Sequence, residues 1–305
     1  MSDLNNTLPP EFDYKIYVNS PENSDISCFD EKTAVSHYSS FGQAEGRVCN
    51  QIKSRMDFVK FIPVRQPLLE IGPFFSPSFV KAEANVYYLD CLSREEMGLR
   101  AKHVNDAAIE SIPEIDYVWS GQSYAELIKR KFSNVYSAHN IEHQPCLITH
   151  IKNIESVLNV DGLVFFTVPD KRYCFDHFLA ETTLADVVDA WKMGVRRHRL
   201  KDVLEHQFFP AHNDPVRHWK GDHGHNRPGS PLEGGLQHQF LEQVNKYYNE
   251  TEYIDVHAWK FSPPSFRTLF NDLYDLNIID LQILRLYPTI KNSNEFYVVL
   301  NRGRK

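Results

Sequence analysis

The feature that most narrows the fold is a succession of short apolar runs, separated by amphipathic stretches, between residues 60 and 170. The runs lie at 67–71, 86–89, 116–119, 134–138 and 163–168. Each suits one strand, and the alternation with amphipathic segments is the signature of βα units and a parallel sheet. The clearest of the intervening segments is 145–158, where Leu147, Ile148, Ile151, Ile154, Val157 and Leu158 recur at the spacing of one helix face. Asp161-Gly162 then supplies turn chemistry, so a turn is expected before the next strand.

Past residue 170 the alternation stops. Residues 171–260 are rich in His, Trp and Arg and include the loop-like run Asp222-His223-Gly224-His225-Asn226-Arg227-Pro228-Gly229. Order returns with a helical pattern at 265–276, for which Ser262 is a candidate N-cap ahead of Pro263 and Pro264, and with two closing strands at 278–286 and 295–300. Upstream, residues 1–50 begin polar and carry a short helical pattern at 31–41. A chain of 305 residues holds one large domain or a core with appendages.

Bulk properties remove several classes of function. The net charge of −7 gives no general pull on nucleic acid. The local basic stretch Arg196, Arg197, His198 and Arg199 reads as a solvated helix face. No apolar run approaches the ~20 residues of a membrane span. The opening MSDLNNTLPPEF has neither the basic lead nor the apolar core of a signal peptide. Cys28, Cys49, Cys91, Cys146 and Cys174 are widely spaced and form no CxxC pair. A reducing cytoplasm is the expected location.

The segment that carries chemistry is Leu68-Leu69-Glu70-Ile71-Gly72-Pro73, an apolar strand ending in an acid, a glycine and a turn. In a doubly wound sheet, ligands bind at the carboxyl ends of the strands. A glycine there lets backbone approach a ligand without a Cβ clash. About 20 residues later, Val86-Tyr87-Tyr88-Leu89-Asp90 is a second strand ending in an acid, placed as a ribose-binding carboxylate is. A nicotinamide-binding domain shares that pairing but needs G-x-G-x-x-G for its pyrophosphate. Here Gly72 is followed by Pro73-Phe74-Phe75-Ser76-Pro77, which lacks a second glycine and loses N–H donors at its prolines. Glu70 suits a cationic amino-acid ligand instead, and S-adenosylmethionine carries an ammonium, a sulfonium and no phosphate.

From Leu68 to Asp176 the chain resembles the class I methyltransferase superfamily, in particular the type 11 methyltransferase-like branch associated with bacterial glycan assembly. The resemblance is carried by Leu69-Glu70-Ile71-Gly72-Pro73, Tyr88-Leu89-Asp90, Ser137-Ala138-His139-Asn140-Ile141-Glu142-His143, Val157-Leu158-Asn159-Val160-Asp161-Gly162 and Val168-Pro169-Asp170-Lys171-Arg172-Tyr173-Cys174-Phe175-Asp176. It implies an α/β, doubly wound Rossmann-like methyltransferase fold. The sheet would have seven strands, mostly parallel with an antiparallel last strand, plus a helical and loop insert. The implied division is an N-terminal helical segment (1–55), a cofactor-binding half (56–175), a substrate-shaping insert (176–260), and a C-terminal helix with closing strands (261–305). A second, shorter resemblance covers 29–48, which is similar to a helical segment found beside bacterial glycosyltransferases and glycan-modifying enzymes.

The resemblance also assigns roles. The cofactor would be S-adenosylmethionine, released as S-adenosylhomocysteine. Glu70, Ile71, Gly72 and Pro73 would hold its methionine end, Asp90 with Cys91 its ribose, and Ser120, Gly121 and Gln122 its adenine. Ser137, Ala138 and His139 would line the methyl-transfer site. The first turn keeps one glycine where the wider superfamily has two or three. Trp119-Ser120 stands where relatives usually place an acid for the adenine amine, so Ser120 or Gln122 would accept that hydrogen bond.

Methyl transfer to a hydroxyl needs positioning and a base. His139, Glu142, His143, Asp170, Tyr173 and Asp176 follow the fourth and fifth strands, and a histidine is favoured because its pKa lies near neutrality. If Asn140 begins the next helix, His139 and His143 share its mouth. Capping is the bland alternative for both. Trp191, Trp219 and Trp259 read either as flat faces for sugar rings or as core. A divalent metal at Asp222-His223-Gly224-His225 is left open and none is assigned. The expected function is an O-methyltransferase acting on a saccharide or glycan-biosynthesis intermediate. The alternatives are a small-metabolite methyltransferase and a non-catalytic cofactor-binding scaffold. The expected partner is a saccharide or small-molecule acceptor, with a second copy or a glycosyltransferase as a protein partner, and no nucleic acid.

Overall fold

The computed structural model describes Leu8 and residues 11–101, 112–225, 235–249 and 254–303. Residues 1–7 of the opening segment and 226–229 of the His-rich run lie outside the described residues. Seven strands, β1 (Leu68–Ile71), β2 (Val86–Asp90), β3 (Tyr117–Val118), β4 (Phe132–Ala138), β5 (Leu158–Pro169), β6 (Leu281–Tyr287) and β7 (Glu295–Arg302), make one sheet in the order β3-β2-β1-β4-β5-β7-β6. β1 to β5 pair in parallel, and β7 runs antiparallel to both β5 and β6. This is a doubly wound, Rossmann-like arrangement with one reversed strand, as expected. All four residues of β1 are buried, as a strand covered on both faces requires.

The covering helices are α1 (Tyr14–Asn19), α2 (Glu31–His37), α3 (Arg55–Lys60), α4 (Arg94–Ala101), α5 (Tyr124–Leu127), α6 (Leu147–Val157), α7 (Leu184–Lys192), α8 (Leu200–Phe208), α9 (Pro215–Trp219), α10 (Gly235–Asn249) and α11 (Pro263–Asp275). On one face α6, α7 and α11 build the larger core; on the other, Phe58 of α3 packs with Tyr88, Tyr136, Phe165 and Tyr297. Ser262 caps α11 by accepting from the Ser265 N–H, and Pro263 begins the helix where its missing donor costs nothing. The buried face of α11 is Phe266, Leu269, Phe270 and Leu273, with the first and third rings stacked 4.1 Å apart.

Three local expectations change. β5 follows α6 without an intervening turn: Leu158 opposes Phe132, Leu163 opposes Asn134, and Asp161-Gly162 fall in the bulge between them. The 31–41 pattern is an α-helix that loosens into a π-turn at Tyr38–Gly42, and Gly42 lets the Tyr17 hydroxyl pack 2.1 Å from where a Cβ would stand. The stretch 196–199 is not a solvated helix face. His198 is buried, Arg199 is paired with Asp202, and Arg197 lies over the Tyr247 ring. Among the described residues no helix is long and apolar enough to cross a membrane.

Candidate active site

β1 and β2 end side by side, and their terminal acids tie down the loops that follow. Glu70 is buried and accepts the backbone N–H groups of Ser78 at 2.7 Å and Phe79 at 3.3 Å. Burial outweighs those bonds and raises its pKa to about 7. Asp90 is also buried, its pKa raised by that burial, and accepts from Leu92 and Phe74 N–H groups, both at 3.3 Å. The Cys91 thiol and backbone N–H also donate to it, and a carboxylate's four lone pairs leave capacity beyond these bonds. Ile71 and Pro73 are buried behind the turn, whereas Cys91 is exposed. Gly72 sits at φ +71°, and a Cβ there would stand 2.6 Å from Asn140 Nδ2, so the turn after β1 closes tightly on the turn after β4.

After β3 the chain folds on itself. Gln122 Oε1 accepts from the Ser120 N–H at 2.8 Å and its hydroxyl at 2.9 Å, and the Gln122 carbonyl accepts from Trp119 Nε1 at 2.6 Å. Ser120, Gly121 and Gln122 line a cleft of about 630 Å³ whose far wall is the first turns of α6, with Thr149, His150 and Asn153, and Arg196. His150 is the notable addition. Its ring is buried, burial depresses its pKa to about 3, Nδ1 lies 3.3 Å from the Tyr124 hydroxyl, and Nε2 has no partner among the described residues. The signal for it was hidden, because a histidine among the apolar positions of a helix reads as core. Glu70, Gly72 and Asp90 do not line this cleft.

The exit of β4 holds the second cluster. Ser137 is buried with an unpartnered hydroxyl among the described residues, and Ala138 is half-buried. His139 follows at φ +45°, in the left-handed region a non-glycine residue seldom adopts. Asn140 does not begin a helix. It precedes a single 3₁₀ turn, Ile141–His143, and α6 starts only after Pro145, which restrains Gln144 to an extended conformation.

That turn aims Glu142 inward, where it is fully buried. Around Glu142 Oε1 lie His139 Nδ1 at 3.6 Å, His143 Nε2 at 3.8 Å and His257 Nε2 at 3.9 Å. Each ring's other nitrogen meets a carboxylate. His139 Nε2 is 2.6 Å from Glu295, His143 Nδ1 2.9 Å from Asp255, and His257 Nδ1 2.5 Å from Asp176. Burial raises the Glu295 pKa, but hydrogen bonds and charge from His139 and Arg55 outweigh it and hold the carboxyl at about 2. For His143, burial lowers the pKa, and the bond to Asp255 with the charges of Glu142, Asp255 and Asp176 turns the net direction upward. His257 and Asp255 arrive on the chain returning from the 171–260 stretch, anchored where Ala258 and Trp259 N–H groups donate to the Glu142 carbonyl. No local pattern marked them.

Other sequence candidates take different parts. Asp170 is buried and fully engaged by Arg172 and the Thr289 hydroxyl, so it anchors the β5 exit instead of moving protons. Tyr173 stacks on Trp219 at 4.0 Å, and Trp259 is a core residue whose Nε1 donates to the Gln144 carbonyl. His223 joins His177 and His218 rather than His225.

No family model matches the chain, and no curated protein matches it. Among solved structures it is similar to the CcbJ methyltransferase from Streptomyces caelestis, at 10% identity and a TM-score of 0.42, over 81% of this chain and 93% of that one. An S-adenosylmethionine-dependent methyltransferase from Clostridium acetobutylicum aligns at 11% identity and a TM-score of 0.40, over 88% and 98% of the two chains. A Rhodobacter sphaeroides protein described as a Zn-dependent alcohol dehydrogenase aligns at 10% and 0.41, over 81% and 88%. The fold is defined by this chain's own strand order.

Proposed function

We propose that this chain is an S-adenosylmethionine-dependent O-methyltransferase with His139 as the base. The observation that carries the reading is the strand order. It puts the β1/β4 switch point, where doubly wound sheets bind ligands, between Gly72 and His139, with Asp90 and the 120–122 turn on one side. The residues fit the cofactor. Asp90 retains lone pairs for ribose hydroxyls, the neutral His150 and the Ser120–Gln122 turn offer polar edges to adenine, and Gly72 leaves room for backbone approach.

When bound, the cofactor supplies an electrophilic methyl group on its sulfonium. The protein's work is then to orient and deprotonate a hydroxyl. Glu295, ionised at neutral pH, accepts the His139 Nε2–H and leaves Nδ1 as the basic nitrogen, in the manner of a carboxylate-oriented imidazole. Nδ1 would take the proton of an acceptor hydroxyl held beside it. The Tyr173–Trp219 stack and the polar, His-rich segments after β5 favour a saccharide among hydroxyl acceptors.

Calorimetric titration with S-adenosylhomocysteine tests the reading. Binding by the parent protein and its loss in Asp90→Ala is the expected pair of results. Failure of the folded parent to bind removes the reading.

A further inference from the structure

We propose that Glu142, His143 and His257 form a binding site for a divalent metal ion of borderline softness, zinc(II) foremost. Three observations meet there. Glu142 is wholly buried, and neither of its oxygens has a hydrogen-bond partner among the described residues. A buried carboxylate is costly unless it is paired or coordinates a metal.

The second observation is the convergence of donors. Nε2 of His143 and Nε2 of His257 stand 3.8 and 3.9 Å from the same Glu142 oxygen, and the three atoms lie within 4.8 Å of one another. That is too far for a hydrogen bond. Ligand atoms around a tetrahedral ion with ~2 Å bonds stand about 3.3 Å apart, so each histidine–carboxylate distance needs to contract by about half an ångström to seat an ion.

The third lies behind the rings. Asp255 and Asp176 face the Nδ1 atoms of His143 and His257 at 2.9 and 2.5 Å. A carboxylate on Nδ1 fixes the tautomer and leaves Nε2 as the metal-binding nitrogen, the usual outer-shell arrangement of metal-ligating histidines. Two imidazoles and one carboxylate suit zinc, cobalt or iron(II), whereas magnesium and calcium prefer all-oxygen shells. Three protein ligands also leave a position for water or a hydroxyl, whose proton the ion would acidify.

The His177, His218 and His223 group is different. His218 Nε2 donates to the His212 carbonyl, so its Nδ1 accepts from His223 at 3.0 Å, and His177 Nδ1 meets the Arg172 carbonyl. Neutral imidazoles satisfy that group without an ion, and it serves as the control.

Glu142 Oε1 also lies 3.6 Å from Nδ1 of His139, so the metal site adjoins the methyl-transfer residues, but zinc binding is read without any turnover. Chelator-stripped protein is titrated with zinc(II) by calorimetry, and with cobalt(II) followed by visible absorption. Expected are one equivalent of zinc, cobalt bands of a four- or five-coordinate site, binding weakened at least about 100-fold in His257→Ala and about 10- to 100-fold in Asp176→Asn, and no change in His223→Ala. If His257→Ala does not fold, the parent cobalt spectrum and Asp176→Asn decide. A stripped parent that takes up no zinc overturns the proposal, as does binding that survives Asp176→Asn unchanged and disappears in His223→Ala.

Discussion

Nε2 of His139 lies 2.6 Å from Oε1 of Glu295, although 156 positions of sequence separate them. Arg55 pairs with the same carboxylate from α3. Three distant segments therefore converge on one group, and its ionisation couples the base to the stability of the sheet. Glu295→Gln is expected to lower methyl transfer at least about tenfold by releasing the His139 tautomer, with S-adenosylhomocysteine affinity unchanged. Its folded pKa of about 2 lies below the unfolded value of ~4.3. The stabilisation, on the order of 3 kcal/mol, is complete above the unfolded value and fades as pH falls through about 2. Urea denaturation of variant and parent should differ most near pH 7, differ by about half as much at pH 3, and converge only below about pH 2.

Glu70 has the opposite sign. Its folded pKa of about 7 lies above the unfolded value, so the protonated form favours folding below ~4.3, and that advantage is lost as pH rises through 7. Glu70→Gln keeps an acceptor for the 78–79 backbone and removes the buried charge. Its melting temperature relative to the parent should climb between pH 4.5 and 8, by at least about 2 °C. A pH-independent difference would refute the account. If the carboxylate also holds the cofactor's ammonium, the same variant loses affinity for S-adenosylhomocysteine.

Sequence patterning located the strands to within a few residues except at the start of β5, which begins five residues ahead of the apolar run; buried strands such as β1 read as uninterrupted apolar runs, and strand ends are marked by Glu70-Ile71-Gly72, Asp90 and Ser137-Ala138-His139. It located the N-cap of α11 as well, since Ser262 with Pro263 is local chemistry. What it could not reach were pairings that only the topology creates. His257, Asp255 and Glu295 lie more than a hundred residues from the turn they complete. His150 was masked by the apolar face around it, and Asp170 read as a free acid until Arg172 and Thr289 were seen to close on it.

Gly72→Ala tests the closure between the β1 and β4 exits. At φ +71° an alanine is strained by roughly 1–2 kcal/mol, and its Cβ would stand 2.6 Å from Asn140 Nδ2. Asn140 would have to leave its 2.8 Å bond with Gln144. Expected are a fall in urea midpoint of that size and at least about tenfold weaker S-adenosylhomocysteine binding. A variant matching the parent in both would place the ligand away from this turn.

Thr149→Trp separates the two halves of the site. Thr149 is exposed on the first turns of α6 and faces Ser120–Gln122 across the cleft of about 630 Å³. An indole there adds bulk where the adenine is placed and touches none of Glu142, His143 or His257. It should therefore abolish S-adenosylhomocysteine binding, leave zinc(II) affinity within about twofold, and shift the melting temperature little, since surface substitutions stay within about 0.5 kcal/mol. Retained nucleoside binding would move the adenine out of this cleft and leave the buried His150 Nε2 without the ligand proposed for it.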